Sequence, residues 1–252
     1  MRQIDAEMEE RILTFMESFS PGNTEALKEM EKEALDAAVP IIRTQTQSLL
    51  RFLLELQRPM RILEVGTATG FSACLLLQYA PVGAELTTIE RDSERIAKAR
   101  ENFAAMDRDT ARGRGWCPPR SSDRIVLLEG EADDILERLE GTYDLIFMDA
   151  AKGQYINFLP KVLDRMHEGS LLVSDNVFKD GEILESRYAV KRRDRTIHRR
   201  MREYLFALTH SAQLQTVLLQ EGDGAALSVR TGAEQTGIGW ESDKREQNRQ
   251  RV

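Results

Sequence analysis

Along the first sixty residues the apolar positions recur at helical spacing. Ile4, Met8, Ile12 and Phe15 fall three or four residues apart until Ser20-Pro21-Gly22-Asn23 breaks the run. Asn23 or Thr24 can cap a second helix reaching to about Ala38, and Pro40 opens a third through Leu49, Leu53 and Leu56 to near Pro59. The period then changes. Short apolar runs at 61–65, 85–89, 124–128, 144–148 and 170–174 alternate with helical segments, the signature of parallel βαβ units. A charged helix over about 190–209 precedes Leu214 to Leu219, the turn Glu221-Gly222-Asp223-Gly224, and Ala225 to Val229, which read as an antiparallel hairpin. The expectation is an α/β chain of seven strands, five parallel and then the hairpin, with helices on both faces. A helical segment over 1–58 packs on a core domain over 59–230.

Two segments fall outside this scheme. Residues 108–122, with Trp116 and Cys117 among arginines, prolines and glycines, have no period and read as an inserted loop. Trp116 can stack on a base, or the insertion can simply be solvent-exposed. The polar tail over 231–252 is expected to be unstructured.

With 252 residues, 41% hydrophobic and 31% charged, the composition is that of a soluble globular protein long enough to bury a substantial core. Cys74 and Cys117 lack partners at ligand spacing, which excludes a disulfide framework and a zinc finger and makes a reducing cytoplasm the expected compartment. No apolar run reaches the length of an export signal or a membrane span, so no membrane association is expected. Local charge says more than the net −7. Between residues 187 and 202 eight Lys and Arg stand against Asp194 alone, either as a surface for a polyanion or as a solvated helix face.

Candidate chemistry sits at the strand ends. The first strand runs into Glu64-Val65-Gly66-Thr67-Ala68-Thr69-Gly70, a glycine loop feeding a helix. It lacks the middle glycine that a dinucleotide pyrophosphate needs, which disfavours NAD. Glu90 closes the second strand where a carboxylate can accept both ribose hydroxyls. An adenosine ligand without phosphates fits, such as S-adenosylmethionine, with Glu64 or its backbone facing the cationic methionine end. The fourth strand ends at Asp149 and the fifth at Asp175-Asn176. Neighbouring parallel strands bring their carboxyl ends to one crevice, and oxygen donors without His or Cys suit Mg²⁺ or a similar divalent cation. Lys152 follows Asp149 by one short turn, and a nearby dication favours its neutral amine. It can then take a proton from an acceptor hydroxyl that attacks the sulfonium methyl group.

These motifs, Glu64 to Gly70, Glu90, Asp149-Ala150-Ala151-Lys152 and Asp175-Asn176, resemble the cation-dependent O-methyltransferases that include catechol and caffeoyl-CoA methyltransferases. The resemblance covers roughly residues 20–230. It implies the Rossmann-like class I methyltransferase fold, with a mostly parallel sheet whose last strand is antiparallel and extra N-terminal helices. Asp149, Asp175 and Asn176 then bind Mg²⁺, while Ile42, Glu64, Gly66, Ser72, Glu90, Glu131, Ala132 and Asp149 form the cofactor site. Asp149-Ala-Ala-Lys-Gly-Gln-Tyr155, Asp175-Asn176-Val177 with Gly181, the Arg-rich stretch and Gly222-Asp223-Gly224 look like the bacterial tRNA 5-hydroxyuridine methyltransferase group, which makes 5-methoxyuridine at the wobble position. The 108–122 insertion departs from that pattern. On this likeness Lys191, Arg192, Arg193, Arg195, Arg199 and Arg200 hold phosphates of a tRNA anticodon stem-loop. A homodimer is expected from the resemblance and the apolar N-terminal helix.

Two other functions compete. The same chemistry can serve a small catechol-like phenol, the basic helix then acting in solubility or dimer contact. A retired methyltransferase fold can also bind an adenosine ligand or RNA without turnover, which the intact Asp149, Lys152, Asp175 and Asn176 disfavour.

Overall fold

In the computed structural model residues 6–37, 39–111, 122–178, 181–186, 188–220 and 222–232 are described. The helices α1 (Ala6–Glu17), α2 (Glu25–Asp36) and α3 (Thr44–Gln57) precede an alternation of β1 (Arg61–Val65), α4 (Phe71–Tyr79), β2 (Glu85–Glu90), α5 (Ser93–Ala111), β3 (Ile125–Glu129), α6 (Ala132–Arg138), β4 (Tyr143–Met148), α7 (Tyr155–Asp164) and β5 (Met166–Ser174). Then come α8 (Arg195–Thr209), β6 (Leu214–Leu219) and β7 (Ala225–Arg230). Thr24 stands at the head of α2 without a side-chain cap bond. The third helix begins four residues later than Pro40 implies. Residues 39–43 lack helical structure and Arg43 at the helix head is extended. Most of the 108–122 insertion and of the tail lies outside the described residues.

The seven strands form one sheet in the order β3-β2-β1-β4-β5-β7-β6. β1 pairs in parallel with β2 and β4, as do β2 with β3 and β4 with β5, whereas β7 runs antiparallel to both β5 and β6. The hairpin is therefore present, but its second strand inserts beside β5 and leaves β6 at the edge. The α8 crossover skips one strand position, and β7 closes the gap. Its Ala225, Ala226 and Ser228 are buried, while Gln215, Val217 and Leu218 of β6 stay exposed.

Apart from Arg61 and Asp144, strands β1 and β4 are buried because helices cover both faces. One core lies between the sheet and α2 to α5 and includes Leu27, Leu54, Leu75, Leu86 and Phe147. The other lies under α6 to α8 and includes Ile146, Tyr155, Val162, Leu172 and Tyr204. Strand order reverses between β1 and β4, so the loops leaving their carboxyl ends part and open a crevice there.

Candidate active site

The sheet's hydrogen-bond ladder runs on past the strands into the candidate ligands. Asp149 N donates to Val65 O at 3.0 Å and Asp175 N to Met148 O at 3.0 Å, so both aspartates are held in register with β1 and β4. Gly66 N and Thr67 N both donate to Ile89 O at 3.1 Å and tie the glycine loop to the end of β2. Gly66 is required here. Its φ is +108°, and a Cβ would lie 2.2 Å from the Asp149 carbonyl oxygen.

Glu64 is completely buried at the base of this loop. Its Oε2 accepts from Thr88 Oγ1 at 2.5 Å, and Thr88 in turn meets Thr67 Oγ1 at 2.6 Å. Burial pushes its pKa up to about 8, against the pull of the Ser72 and Thr88 hydroxyls, and its Oε1 makes no hydrogen bond. A buried carboxyl oxygen without a partner is a ready acceptor for a ligand ammonium. Glu90, also buried, accepts from Ala68 N at 2.9 Å through Oε2 and from Arg91 N and Asp92 N at 2.9 and 3.0 Å through Oε1, which fixes its carboxylate at the rim of the loop. Ser72 is buried in the first turn of α4, and Ile42 is buried before α3, its carbonyl accepting from Gln47 Nε2 at 2.9 Å. Glu131 is exposed ahead of α6, paired with Arg91 at 3.1 Å, with Ala132 opening that helix. These residues fit an adenosyl ligand with a cationic tail.

The oxygen donors converge on one amine. Lys152 Nζ lies 2.7 Å from Asp149 Oδ1, 3.0 Å from Asn176 Oδ1 and 3.1 Å from the Tyr155 hydroxyl, with the Asp175 carbonyl at 3.5 Å. Asp175 Oδ1 accepts from Asn176 N at 2.9 Å and from Thr46 Oγ1 at 3.3 Å, whereas its Oδ2 is buried with no partner. Burial and the neighbouring Asp149 charge push the Asp175 carboxyl up to about 6. Among the described residues no three His, Cys, Asp or Glu side chains cluster as a metal site. The set here is two carboxylates and an amide, and the orphaned Asp175 oxygen fits a hard divalent cation.

Asn176 adopts a left-handed φ of 52°, which Asn tolerates better than most residues. The following loop is pinned from the other side, with Val177 N donating to Gly224 O at 2.9 Å and Phe178 N to Asp223 O at 3.0 Å. Gly224 lets the Phe178 ring approach, and a Cβ at Gly222 would crowd Thr46 Oγ1 at 2.8 Å. The Gly222-Asp223-Gly224 turn is thus part of the frame around Asp175.

The basic stretch divides. Arg195 Nε donates to Val190 O at 3.2 Å, Arg199 pairs with Glu203 at 3.0 Å, and Arg200 donates to Gly153 O at 2.9 Å. These three are engaged within the chain, and Arg200 packs α8 against the turn that carries Lys152. Lys191, Arg192 and Arg193 are exposed, Arg193 reaching Asp194 at 3.4 Å. Arg187 lies outside the described residues.

Thr46 and Tyr155 reach the site although the sequence pattern assigned them no role. Thr46 contacts a residue 129 positions away, which no local pattern signals. Tyr155 stood inside the quoted motif after Lys152, and it is completely buried, with burial pushing its phenol well above the ordinary value.

A family model described as O-methyltransferase matches residues 17–231. The chain belongs to the O-methyltransferase family. A catechol O-methyltransferase of Niastella koreensis is 29% identical over 213 residues, covering 81% of this chain and 90% of the relative. A caffeoyl-CoA O-methyltransferase of Citrus natsudaidai is 25% identical over 224 residues, 84% of this chain and 90% of that one. The SAH-bound methyltransferase of Podospora anserina superposes with a TM-score of 0.75 at 25% identity, over 92% of this chain and 99% of that one. The Rossmann-like methyltransferase fold is thereby shown. No helix among the described residues of this O-methyltransferase is long and apolar enough to cross a membrane.

Proposed function

We propose that this O-methyltransferase uses S-adenosylmethionine and a divalent cation, Mg²⁺ in the first instance, to methylate 5-hydroxyuridine to 5-methoxyuridine in the anticodon loop of tRNA. The observation that carries the RNA substrate is the packing of α8. Arg200 bonds Gly153 and Ile197 lies against the same glycine, which docks α8 on the turn carrying Lys152, and the exposed Lys191, Arg192 and Arg193 directly precede that helix in the chain. Cations beside the crevice suit phosphates on either side of a splayed base.

Within that site Glu90 orients the ribose of the cofactor and Glu64 faces its ammonium. Asp149, Asp175 and Asn176 hold the cation, which when bound supplies Lewis acidity to the acceptor hydroxyl. Lys152 Nζ, aimed between Asp149 and Asn176, takes the acceptor's proton as the methyl group transfers in line. A 5-hydroxyl beside the 4-carbonyl of the uracil presents the same pair of oxygens as a catechol.

The names of the Niastella and Citrus relatives favour a second substrate class, a small catechol-like phenol. One assay separates the two. Purified protein, S-adenosylmethionine and Mg²⁺ are incubated with an anticodon stem-loop containing 5-hydroxyuridine or with catechol, with and without EDTA, and products are read by mass spectrometry. Formation of 5-methoxyuridine that EDTA abolishes is the expected result. Methylated catechol with unmodified RNA transfers the assignment to the phenol.

The same proposal includes a homodimer and a cytoplasmic location, where tRNA and the thiol of Cys74 both reside. Met8, Ile12, Phe15, Met16 and Phe19 on and after α1 are 40–72% exposed, and Met16 and Phe19 line one cavity with the exposed Phe52 of α3. Such a stripe on a helix this short needs cover, and a second copy presents the same stripe in return. Sedimentation of the wild type as a dimer and of Phe15→Ser/Phe19→Ser as a monomer is expected; a monomeric wild type refutes it.

A further inference from the structure

We propose that Tyr155 is a positioning residue for this site: its phenol hydroxyl fixes the tip of Lys152 and spans the two strand ends that carry Asp149 and Asp175. The inference rests on the cation and amine assigned above and adds the group that aims them.

The hydroxyl sits at the meeting point of four polar atoms. It accepts from Ala150 N at 3.3 Å and from Lys152 Nζ at 3.1 Å, and its hydrogen is shared between Met148 O at 3.0 Å and Asp175 O at 3.2 Å. A phenol has one donor and two acceptor lone pairs, so its capacity is fully used. Met148 ends β4 one residue before Asp149, and Asp175 follows the end of β5. One hydrogen atom therefore bridges the backbone of both strand ends, and one oxygen restrains the loop between Asp149 and Lys152.

The amine has three short contacts, Asp149 Oδ1, Asn176 Oδ1 and the phenol oxygen. The first two are the donors assigned to the cation. The phenol is the remaining leg, and it keeps the amine beside the crevice when those carboxylate and amide oxygens turn to a metal. The ring cannot swing away. Tyr204 packs edge-on against it at 5.3 Å and 76°, and Tyr204 is itself fastened to Ser174 Oγ at 2.5 Å.

The test uses the full-length protein and needs no methyl acceptor for its first readout. Mn²⁺ binding is titrated calorimetrically for wild type, Tyr155→Phe and Tyr204→Phe, with near-ultraviolet circular dichroism as the check that each variant is folded. Loss of an outer partner of a metal ligand weakens binding by about 10- to 100-fold, and because Tyr155 bonds the Asp175 main chain rather than its carboxylate, a loss at the lower end, about 10-fold, is expected for Tyr155→Phe. Tyr204→Phe, which removes an equally buried hydroxyl one ring further from the crevice, is expected to bind Mn²⁺ like the wild type. The second readout is turnover of Tyr155→Phe in the wild-type and Lys152→Met backgrounds. At Mn²⁺ concentrations that saturate each variant, Tyr155→Phe is expected to lower kcat with the KM for S-adenosylmethionine unchanged, and to lower it no further once Lys152 is gone. Unchanged Mn²⁺ affinity in folded Tyr155→Phe, equal weakening in Tyr204→Phe, or the same kcat factor in both backgrounds overturns the proposal. A wild type that binds no Mn²⁺ overturns it together with the cation assignment, an outcome distinct from failure of the variant alone.

Discussion

Replacing Glu64 by Gln is expected to stabilise the cofactor-free protein, and increasingly so as pH rises. Glu64 is fully buried, and burial moves its pKa from an ordinary 4.5 to about 8. The folded chain thus keeps a proton that the unfolded chain releases. Stability is lost as pH climbs from 4.5 towards 8, at about 1.4 kcal/mol per pH unit. The loss attributable to this one carboxyl is roughly 0.7 kcal/mol at pH 5 and on the order of 4 kcal/mol at pH 8. Gln keeps the shape and can still accept from Thr88, so any packing penalty is the same at every pH. Asp175, whose carboxyl also rises, is common to both proteins and cancels in the difference. For a chain of this length each kcal/mol moves the melting temperature by about 2–4 °C. The gap between Glu64→Gln and wild type is therefore expected to widen by roughly 10 °C between pH 5 and pH 8 in thermal melts followed by circular dichroism. Parallel curves would refute a buried, protonated Glu64. Cofactor reverses the balance: with an ammonium facing Oε1 the carboxylate form is favoured, so wild type is expected to release a proton on binding S-adenosylmethionine at pH 7. Calorimetry in two buffers of different ionisation enthalpy reads that proton, and Glu64→Gln should show none.

Arg192→Ala/Arg193→Ala is expected to leave S-adenosylmethionine binding intact while weakening tRNA binding and reducing the slope of log affinity against log salt by about 1 per lost phosphate contact; an unchanged slope removes these residues from the RNA surface. Gly66→Ala, whose Cβ would strike the Asp149 carbonyl at 2.2 Å, is expected to cost on the order of 4 kcal/mol, and a wild-type melting temperature would contradict the close approach of the two loops. At the opposite end of the sheet, hydrogen bonds to the Glu168 carbonyl and to Asp144 raise the His167 pKa. Its contribution is full below the unfolded value of about 6.5 and fades as pH passes the folded value, so the stability advantage of wild type over His167→Gln should shrink between pH 5.5 and pH 8. A constant difference in thermal melts would exclude the ion pair.

The parts of this site legible in the sequence are those that a parallel sheet places automatically. Each strand ends in a short peptide, Glu64 to Gly70, Glu90, Asp149 to Lys152 or Asp175-Asn176, and the strand order sends all four to the same edge. Reading strand boundaries to within a residue or two is then enough to gather the ligands, because the ladder itself continues through Asp149 N and Asp175 N. The contacts that came from elsewhere depend on tertiary distance. Thr46 reaches Asp175 from α3, a contact with no local signature, and the β6–β7 turn, legible as a turn and as a motif, gives no sign in the sequence that it clasps the loop after Asn176. Charge was legible only as a local excess. Eight basic residues in one window do not reveal that Arg195 and Arg200 bond main-chain carbonyls and Arg199 pairs with Glu203, while Lys191, Arg192 and Arg193 stay exposed ahead of the helix. The same packing explains why the stretch is so basic. Arg200 anchors α8 to the backbone next to Lys152 and Arg202 anchors it to Ile183 O at 3.1 Å, so some cations build the rim on which the others are displayed. A neutral helix of the same length could fill the layer under the sheet, but it would lack the backbone clasps at Gly153 and Ile183.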